Sequence, residues 1–438
     1  MKRLLIVSPH FPPINAPDMQ RVRMALPYYR AAGWDPVVLA VKPEAVEGVL
    51  EPELLATVPR DIPVHACDAY ATRWTRRLGV GNVGHRSFRF LDRRVTELLR
   101  RERFDLAFFS NTQFITFPLG IRWRRRFGLP YVIDLQDPWR TDYYERRGSR
   151  RPPGGWKYQF ARLQARFLEG PTMRRAAGVM SVSGHYLDDL RARYPEFSAP
   201  TEVIGFGATR VDLERAHLLP PSAHAFARRP GEVHVLYTGA SGPVMPHSLS
   251  VLFAALRQFR AAEPELARRL RFHFYGTSYV PPGRGRCSVL PIAQEFGVAD
   301  QVDEVPHRLG HLECIQLQSG ADVLLLPGSS DLAYSPSKIY PYYLAGKPIL
   351  GLVFRDSVME QLLDQLQCAY LTRFREQEAK DDAHAHLRVF LAAAASGRAA
   401  ELMPARRDAY FNEHFLADSL ARRQAALFDR ALAHVAGV

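Results

Sequence analysis

Short β-rich apolar runs alternate along this chain with stretches whose apolar residues recur at helical spacing. In the first half the runs are LLIVS (4–8), PVVLAV (36–41), DLAFFS (105–110), PYVIDL (130–135) and GVMSVS (178–183). Between them lie helical patterns such as MQRVRMALPYYRAAG and FLDRRVTELLRRE. The alternation resumes with VHVLYTG (233–239), RFHFYGT (271–277), QVDEVP (301–306), DVLLLPG (322–328) and KPILGLV (347–353). Strand and helix in turn predict parallel sheets covered by helices on both faces, an α/β architecture. The stretch TRVDLERAHLLPPSAHAFARRPGE has neither period, and it marks the junction between two similar halves. The pattern divides the chain into a Rossmann-like domain over 1–205, a second over 206–410, and a closing helical segment over 411–438.

A length of 438 residues agrees with this division, because it exceeds what one ordinary core holds. Hydrophobic content of 47% with 24% charged residues is that of a chain able to bury real cores. The longest apolar runs fall far short of the ~20 residues a membrane span needs. LLIV near the N-terminus has no small-residue cleavage site after it and reads as a first strand, not a signal peptide. Four cysteines (Cys67, Cys287, Cys314 and Cys368) lie far apart without Cys/His pairing. That spacing argues against a metal site or disulfide frame and fits a reducing cytoplasm.

Charge changes the picture. The net charge is +13, and residues 71–176 hold 24 Lys and Arg against 9 Asp and Glu, so the basic excess belongs to this one region. Such a patch suits an anionic surface. No nucleic-acid motif accompanies it, and a basic excess alone gives only salt-sensitive, non-specific affinity, so nucleic acid is not the expected partner. Within the region, WKYQFARLQARF puts Trp156, Phe160, Leu163 and Phe167 on one helical face. That stripe is expected to pack on its own sheet as core.

In open α/β sheets ligands bind beyond the carboxyl ends of strands, so residues after strands are the candidates for chemistry. SPHFPPINAPDMQR follows the first strand. It offers His10 as an acid/base or hydroxyl-binding group, Asp18 as a helix cap, and Arg21 as an anion contact on the next helix. YVIDLQDPWRTDYY offers Asp134, read as structural, then Asp137 to hold or deprotonate a hydroxyl and Trp139 as a flat face for a sugar. In LYTGASGP, Gly239, Ser241 and Gly242 form a small-residue turn whose amides can approach a phosphate, and Gly276 in YGTSY is a second turn of that kind. SPSKIYPYYLAGKPIL starts a helix-like segment with Ser335 or Ser337 as N-cap, Pro336 in the first turn and Lys338 beside it. With Tyr342 nearby, these groups read as a seat for a diphosphate.

Taken in order, HFPP, GLPYVIDLQDPW, GVMSVS, LYTGASG and PSKIYPYYLAGKPIL resemble the GT-B nucleotide-sugar glycosyltransferases of the large retaining family four, over nearly the whole chain. The resemblance implies two Rossmann-like domains facing across a cleft, with an acceptor domain first, a sugar-nucleotide domain second, and a C-terminal helix returning to the first. It implies a nucleotide-sugar donor, a glycan or lipid-linked acceptor, and no bound metal or other cofactor. His10 and Asp137 would be catalytic, and Arg21 and Trp139 would meet the acceptor. Gly239, Ser241, Gly242, Gly276, Arg308, Ser335, Ser337, Lys338 and Tyr342 would meet the donor. With the basic patch, it implies a cytoplasmic protein docking peripherally on an anionic inner membrane, in cell-surface polysaccharide or glycoconjugate synthesis. The chain departs from the family pattern in three places. The glutamate that usually holds the ribose hydroxyls is Pro341, its partner carboxylate falls on Ala333, and the basic residues that often follow Gly239 are missing, with Arg308, Lys338 or the basic patch as candidates to compensate. These departures support a second expectation, a GT-B-shaped subunit that binds a glycan or nucleotide without transferring sugar.

Overall fold

The structure, a computed structural model, describes residues 1–140, 155–241, 245–278, 283, 285–332, 334, 336–375 and 381–437. The chain forms two compact units, one of residues 1–206 with 415–438 and the other of residues 207–414.

Unit 1 is built on strands β1 (Lys2–Val7), β2 (Ile14–Asn15), β3 (Trp34–Val41), β4 (Val49–Leu50), β5 (Val64–Cys67), β6 (Leu106–Ser110), β7 (Tyr131–Leu135), β8 (Gly178–Ser181) and β9 (Thr201–Val203). Seven of them make a sheet in the order β5-β3-β1-β6-β7-β8-β9, and β2 pairs with β4 alone. Every pairing in the seven-stranded sheet is parallel. Unit 2 holds β10 (Val233–Thr238), β11 (Leu270–Tyr275), β12 (Val302–Val305), β13 (Val323–Pro327), β14 (Ile349–Phe354) and β15 (Tyr370–Phe374). They form a second parallel sheet in the order β12-β11-β10-β13-β14-β15.

The continuous apolar runs of the sequence are the central strands. A parallel sheet covered on both faces leaves no wet side, so alternation disappears. Four strands of the two large sheets have no such run: VHAC (β5), TEV (β9), VDEV (β12) and YLTRF (β15). All four lie at sheet edges, where half the strand needs no burial, and of them only β12 was expected, from QVDEVP. In unit 1 one face of the sheet packs against the helices Val83–Arg101 and Pro118–Phe127. The other face is closed by the helix Ala417–Ala436, whose Leu427, Phe428 and Ala431 are fully buried beside Trp34 and Phe108. In unit 2 the helices Pro246–Ala262 and Asp381–Ala395 share a core with β10, β11, β13 and β14.

The helix Trp156–Arg174 departs from expectation. Phe160, Leu163 and Phe167 are 57%, 53% and 68% exposed instead of core, and the side chain of Trp156 lies outside what is described. The inward face is formed by Ala165, Glu169, Gly170, Thr172 and Met173. At Gly170 any Cβ would come within 2.9 Å of the Tyr194 ring, so the packing there admits only small residues.

In each sheet strand order reverses at one point, between β1 and β6 in unit 1 and between β10 and β13 in unit 2. The carboxyl ends beside these reversals are where α/β folds seat ligands.

Candidate functional site

In unit 1, β1 ends at Val7 and its continuation carries His10, whose side chain keeps 16% of its surface exposed. Its Nδ1 lies 2.8 and 3.0 Å from the two oxygens of Asp18. Asp18 is buried and also accepts from the Thr112 amide (3.3 Å) and hydroxyl (3.1 Å), just past β6. Burial opposes the charge of Asp18, but the His10 and Thr112 bonds outweigh it and hold the carboxyl below its ordinary value. A carboxylate on Nδ1 fixes the ring and leaves Nε2 as the nitrogen able to meet a substrate. Asp18 thus orients a histidine and does not act as the expected helix cap: the turn at Pro17–Met19 has no side-chain cap.

Beneath this pair lies a buried polar network. Arg21 Nε sits 2.9 Å from Asp134, and its Nη2 donates to the Ile204 carbonyl at 2.8 Å. Asp134 accepts from Ser110 (2.7 Å) and Gln136 (3.1 Å), and Gln136 also donates to the Asp18 carbonyl (3.0 Å). Arg21 is 5% exposed and Asp134 0%. Arg21 was expected to meet the acceptor. It is instead committed to a buried carboxylate and braces the loops, because an unpaired charge at that depth would be prohibitive. Asp134 has the structural part expected of it.

Asp137 reaches solvent at the rim. Crowding by the surrounding protein, then the nearby Asp18 charge, push its carboxyl up. Trp139 is half-buried, stacked on Phe114 (5.8 Å between centroids, 13°) and edge-on to Phe117 (5.6 Å). Only its remaining surface is available to a ligand, and that surface lines a cavity of about 960 Å³. The same cavity is lined by Thr112, Tyr158, Tyr194 and five arginines (Arg140, Arg162, Arg166, Arg174 and Arg193) against a single aspartate, Asp189. Part of the wall is rigid, since the buried Glu169 accepts from Arg193 (2.8 Å) and Tyr194 (2.9 Å).

In unit 2 the turns after β10, β11 and β12 are stitched together. Gly239 donates to the Tyr275 carbonyl (2.8 Å), Gly276 to Val305 (2.8 Å) and Ser241 to Thr277 (3.0 Å). Gly239 and Gly276 have φ of 147° and 73°, which favour glycine. Ser241 is buried and its hydroxyl pairs with Ser288, so its part is structural and not the expected donor contact. Gly242 and Ser335 lie outside the described residues.

The Lys338 side chain lies across Gly239. A Cβ on Gly239 would fall on Lys338 Cε, 2.5 Å from Nζ and 2.9 Å from Cδ. No hydrogen bond or ion pair joins the ammonium to a described residue. Burial lowers its pKa; the Cys314 thiol opposes this and the Arg308 guanidinium adds to it. Arg308 is half-buried in the loop after β12.

The segment expected to begin a helix at a serine cap starts later. The helix is Ile339–Ala345, its N-cap position is Lys338 and no side chain caps it. Ser337 is exposed and is not the cap. Pro341 is therefore the third helical residue, where the amide has no intrahelical acceptor to lose. Tyr342, expected at the donor, is 0% exposed. Its hydroxyl accepts from the Thr238 amide at 2.9 Å, and burial raises its pKa. Tyr342 thus ties the helix to the end of β10 and keeps Lys338 over Gly239. Among the described residues, no three His, Cys, Asp or Glu gather as a metal site and no helix is long and apolar enough to cross a membrane.

Asp18, Thr112 and Gln136 were not singled out as site residues from the sequence. Asp18, eight residues after His10 in the same post-strand loop, was the one legible signal.

Two parallel Rossmann-like sheets with this pair of post-strand sites define the GT-B fold. Residues 20–207 match the family described as "Glycosyl transferase 4-like domain", so the chain resembles the family-four glycosyltransferases. Sucrose-phosphate synthase from Thermosynechococcus elongatus shares the fold at a TM-score of 0.57 and 15% identity, over 99% of this chain and 100% of that one. The UDP-forming α,α-trehalose-phosphate synthase of Burkholderia xenovorans, solved with glucose-6-phosphate, gives 0.57 and 13%, over 98% and 99%. The Escherichia coli trehalose-6-phosphate protein bound with UDP-2-fluoro glucose gives 0.54 and 12%, over 100% and 98%. No curated protein matches the chain in sequence.

Proposed function

We propose that the protein is a glycosyltransferase that takes a sugar from a nucleotide-sugar donor, with retention at the anomeric carbon, and places it on a glycan or lipid-linked acceptor in cell-surface polysaccharide or glycoconjugate synthesis. The observation that carries this reading is the half-buried Lys338 ammonium, which has no counter-ion among the described residues and lies across Gly239 at the strand-order reversal of unit 2. A lysine so placed lacks an anion, and a diphosphate supplies one. The Gly239 and Gly276 amides already donate to the Tyr275 and Val305 carbonyls, so in this scheme the cationic side chains and not these amides meet the phosphates. When the anomeric C–O bond breaks, charge grows on the departing diphosphate, and Lys338 with Arg308 stabilises it. In unit 1, His10 Nε2, fixed through Asp18, meets the acceptor hydroxyl, and Asp137 stands at the rim. No metal is assigned a part in this scheme. The matching neighbours include proteins named as UDP-forming synthases and one bound to a UDP sugar, which supports a uridine nucleotide as the first donor to try.

The non-catalytic reading is favoured by one feature: Pro341 and Ala333 stand where the family has its ribose-binding carboxylates. Calorimetry with a panel of nucleoside diphosphates and nucleotide sugars, followed by donor hydrolysis, separates the two. Specific diphosphate binding and turnover, both lost in folded Lys338→Ala, support transfer. Binding without turnover supports the second reading, and wild-type turnover in Lys338→Ala removes the lysine from the mechanism.

A further inference from the structure

We infer that the irregular segment 218–232 is a protonation-gated strap, docked on unit 2 while the ring pair His234–His273 beneath it is neutral and released when that pair takes up a proton. In β10 and β11, Val235, Tyr237, Phe272 and Phe274 face the core shared with the helix Pro246–Ala262. Side chains alternate along a strand, so His234, His273 and Tyr275 face the other side. The strap covers them there. Its half-buried Phe226 ring stacks on His234 (4.9 Å between centroids, 17°) and lies 4.6 Å from the His273 ring. Elsewhere on the strap, the Ser222 hydroxyl and His224 Nδ1 (3.0 Å) bond Glu313 of the helix His311–Gly320, and Arg228 pairs with Asp322 (3.2 Å).

The hydrogens under Phe226 leave no place for another. Tyr275 donates its hydroxyl hydrogen to Asp303 (2.8 Å). His273 Nδ1 faces the Tyr275 oxygen (3.1 Å) and the Asp303 carboxylate (3.5 Å), so that nitrogen carries a hydrogen. His273 Nε2 then accepts from His234 Nδ1 at 3.0 Å. These two hydrogens are all that two neutral imidazoles have. The remaining nitrogen, His234 Nε2, is buried with no hydrogen-bond partner among the described residues. A third hydrogen must go there whichever ring carries the charge, because doubling the hydrogen between the rings sets two N–H groups against each other. A stranded N–H on a charged pair costs far more than a bare imidazole nitrogen. The surrounding charges divide. Arg228 on the strap opposes a charged ring, while Asp322, Glu232 (itself 3.0 Å from Arg271) and, beside His273, Asp303 favour one. Burial, then His273 and Arg228, prevail over Asp322 and Glu232 and hold the His234 pKa below its ordinary 6.5. Lifting Phe226 brings water to Nε2, so protonation and release of the strap are linked.

The test is hydrogen exchange of the full chain, read by mass spectrometry at pH 7.5 and 5.5 with rates corrected for the pH dependence of free amides. Protection of residues 218–232 should fall about tenfold over that interval, the ratio linkage gives for one imidazole of ordinary pKa that the docked state keeps neutral. The helix Pro246–Ala262 should keep its protection. In His234→Phe/His273→Leu both rings are gone, and strap protection should be equal at the two pH values. Should that variant fail to fold, Phe226→Ala tests the link from outside the sheet. Its strap should start at pH 7.5 near the wild-type value for pH 5.5 and change little on acidification. Wild-type protection that does not change overturns the inference, and so does a fall that persists in the folded double variant. Loss of protection by unit 2 as a whole overturns it too, since that is acid unfolding and not release of a strap.

Discussion

Gly239→Ala is the sharpest perturbation the structure offers, because one methyl group acts at a distance on one named charge. The added Cβ would fall on Lys338 Cε and 2.5 Å from its Nζ. Ordinary contact needs about 3.5 Å, so the ammonium must withdraw by at least about 1 Å. Alanine at φ 147° also carries backbone strain of about 1–3 kcal/mol. If Lys338 neutralises a departing diphosphate, a displacement of that size should lower turnover by about 100-fold. Removing the group outright in Lys338→Ala should cost about 100- to 1000-fold.

The double variant decides whether the two effects share a cause. Donor hydrolysis and transfer are measured for wild type, both single variants and Gly239→Ala/Lys338→Ala, with urea unfolding alongside. Activity of the double variant should match that of Lys338→Ala, since a missing ammonium cannot be displaced again. Its stability should recover the steric part of the Gly239→Ala loss but keep the backbone part. Activity losses that simply add would show that Gly239 acts through something other than Lys338, and the donor site would have to be redrawn. A pH series supplies an independent reading. Burial, then Arg308, lower the Lys338 pKa against the Cys314 thiol, and a bound dianion must raise it. Diphosphate affinity should therefore be full while the lysine is protonated and fall as pH rises through a value below the ordinary 10.5. In Lys338→Ala that fall should vanish.

Three further outcomes follow from unit 1 and from the short helix of unit 2. Asp18→Asn should lower turnover by about 100-fold by freeing the His10 ring. Because the Asp18 pKa is lowered from 3.8 by its His10 and Thr112 bonds against the cost of burial, its stabilisation is complete above that value and lost as pH falls through the depressed one. Urea midpoints between pH 2 and 6 should fall less steeply in Asp18→Asn than in wild type. Arg21→Met should destabilise by about 3–5 kcal/mol by stranding Asp134, read by urea unfolding; an unchanged midpoint with lost activity would restore Arg21 to the acceptor site. Pro341→Ala should change unfolding free energy by less than about 1 kcal/mol, because the third helical position lends no amide to the helix.

What the sequence made legible tracks where burial is two-sided. Nine of the ten expected strands were visible because parallel strands inside a double cover are largely apolar, and β12 was read from QVDEVP although it lies at an edge, while the edge strands β5, β9 and β15 were not read. Gly239 and Lys338 were both readable as types: a small residue after a strand and a cation before a helix. Their convergence, one lying on the other across a hundred residues, was not readable, since it depends on how Tyr342 ties its helix to Thr238. Arg21 and Asp134 were ambiguous for a different reason. Charge near a strand end looks alike whether it faces a ligand or its own partner, and only burial tells the two apart. The stripe at Phe160, Leu163 and Phe167 misled because periodicity reports that a helix has an apolar face, not which surface that face meets.

Pro341 sits in the first turn of the helix that follows Lys338. Set deep in a helix, a proline would remove a hydrogen bond and bend the axis, and SPSKIYPYYLAG would be a poor way to present a lysine. Starting the helix at Ile339 places the ring in the first turn, where its fixed φ suits the backbone. Tyr342, the next residue, then anchors the helix by its hydroxyl to the end of β10. The arrangement keeps the cation over the glycine turn while giving up the side chain that would hold a ribose. On the proposed reading nucleotide recognition would lean on the diphosphate, and Pro341→Glu should then tighten binding of a whole nucleoside diphosphate while leaving inorganic pyrophosphate unchanged. Equal tightening of both would place the new carboxylate's effect on the fold of the turn and not on the ribose.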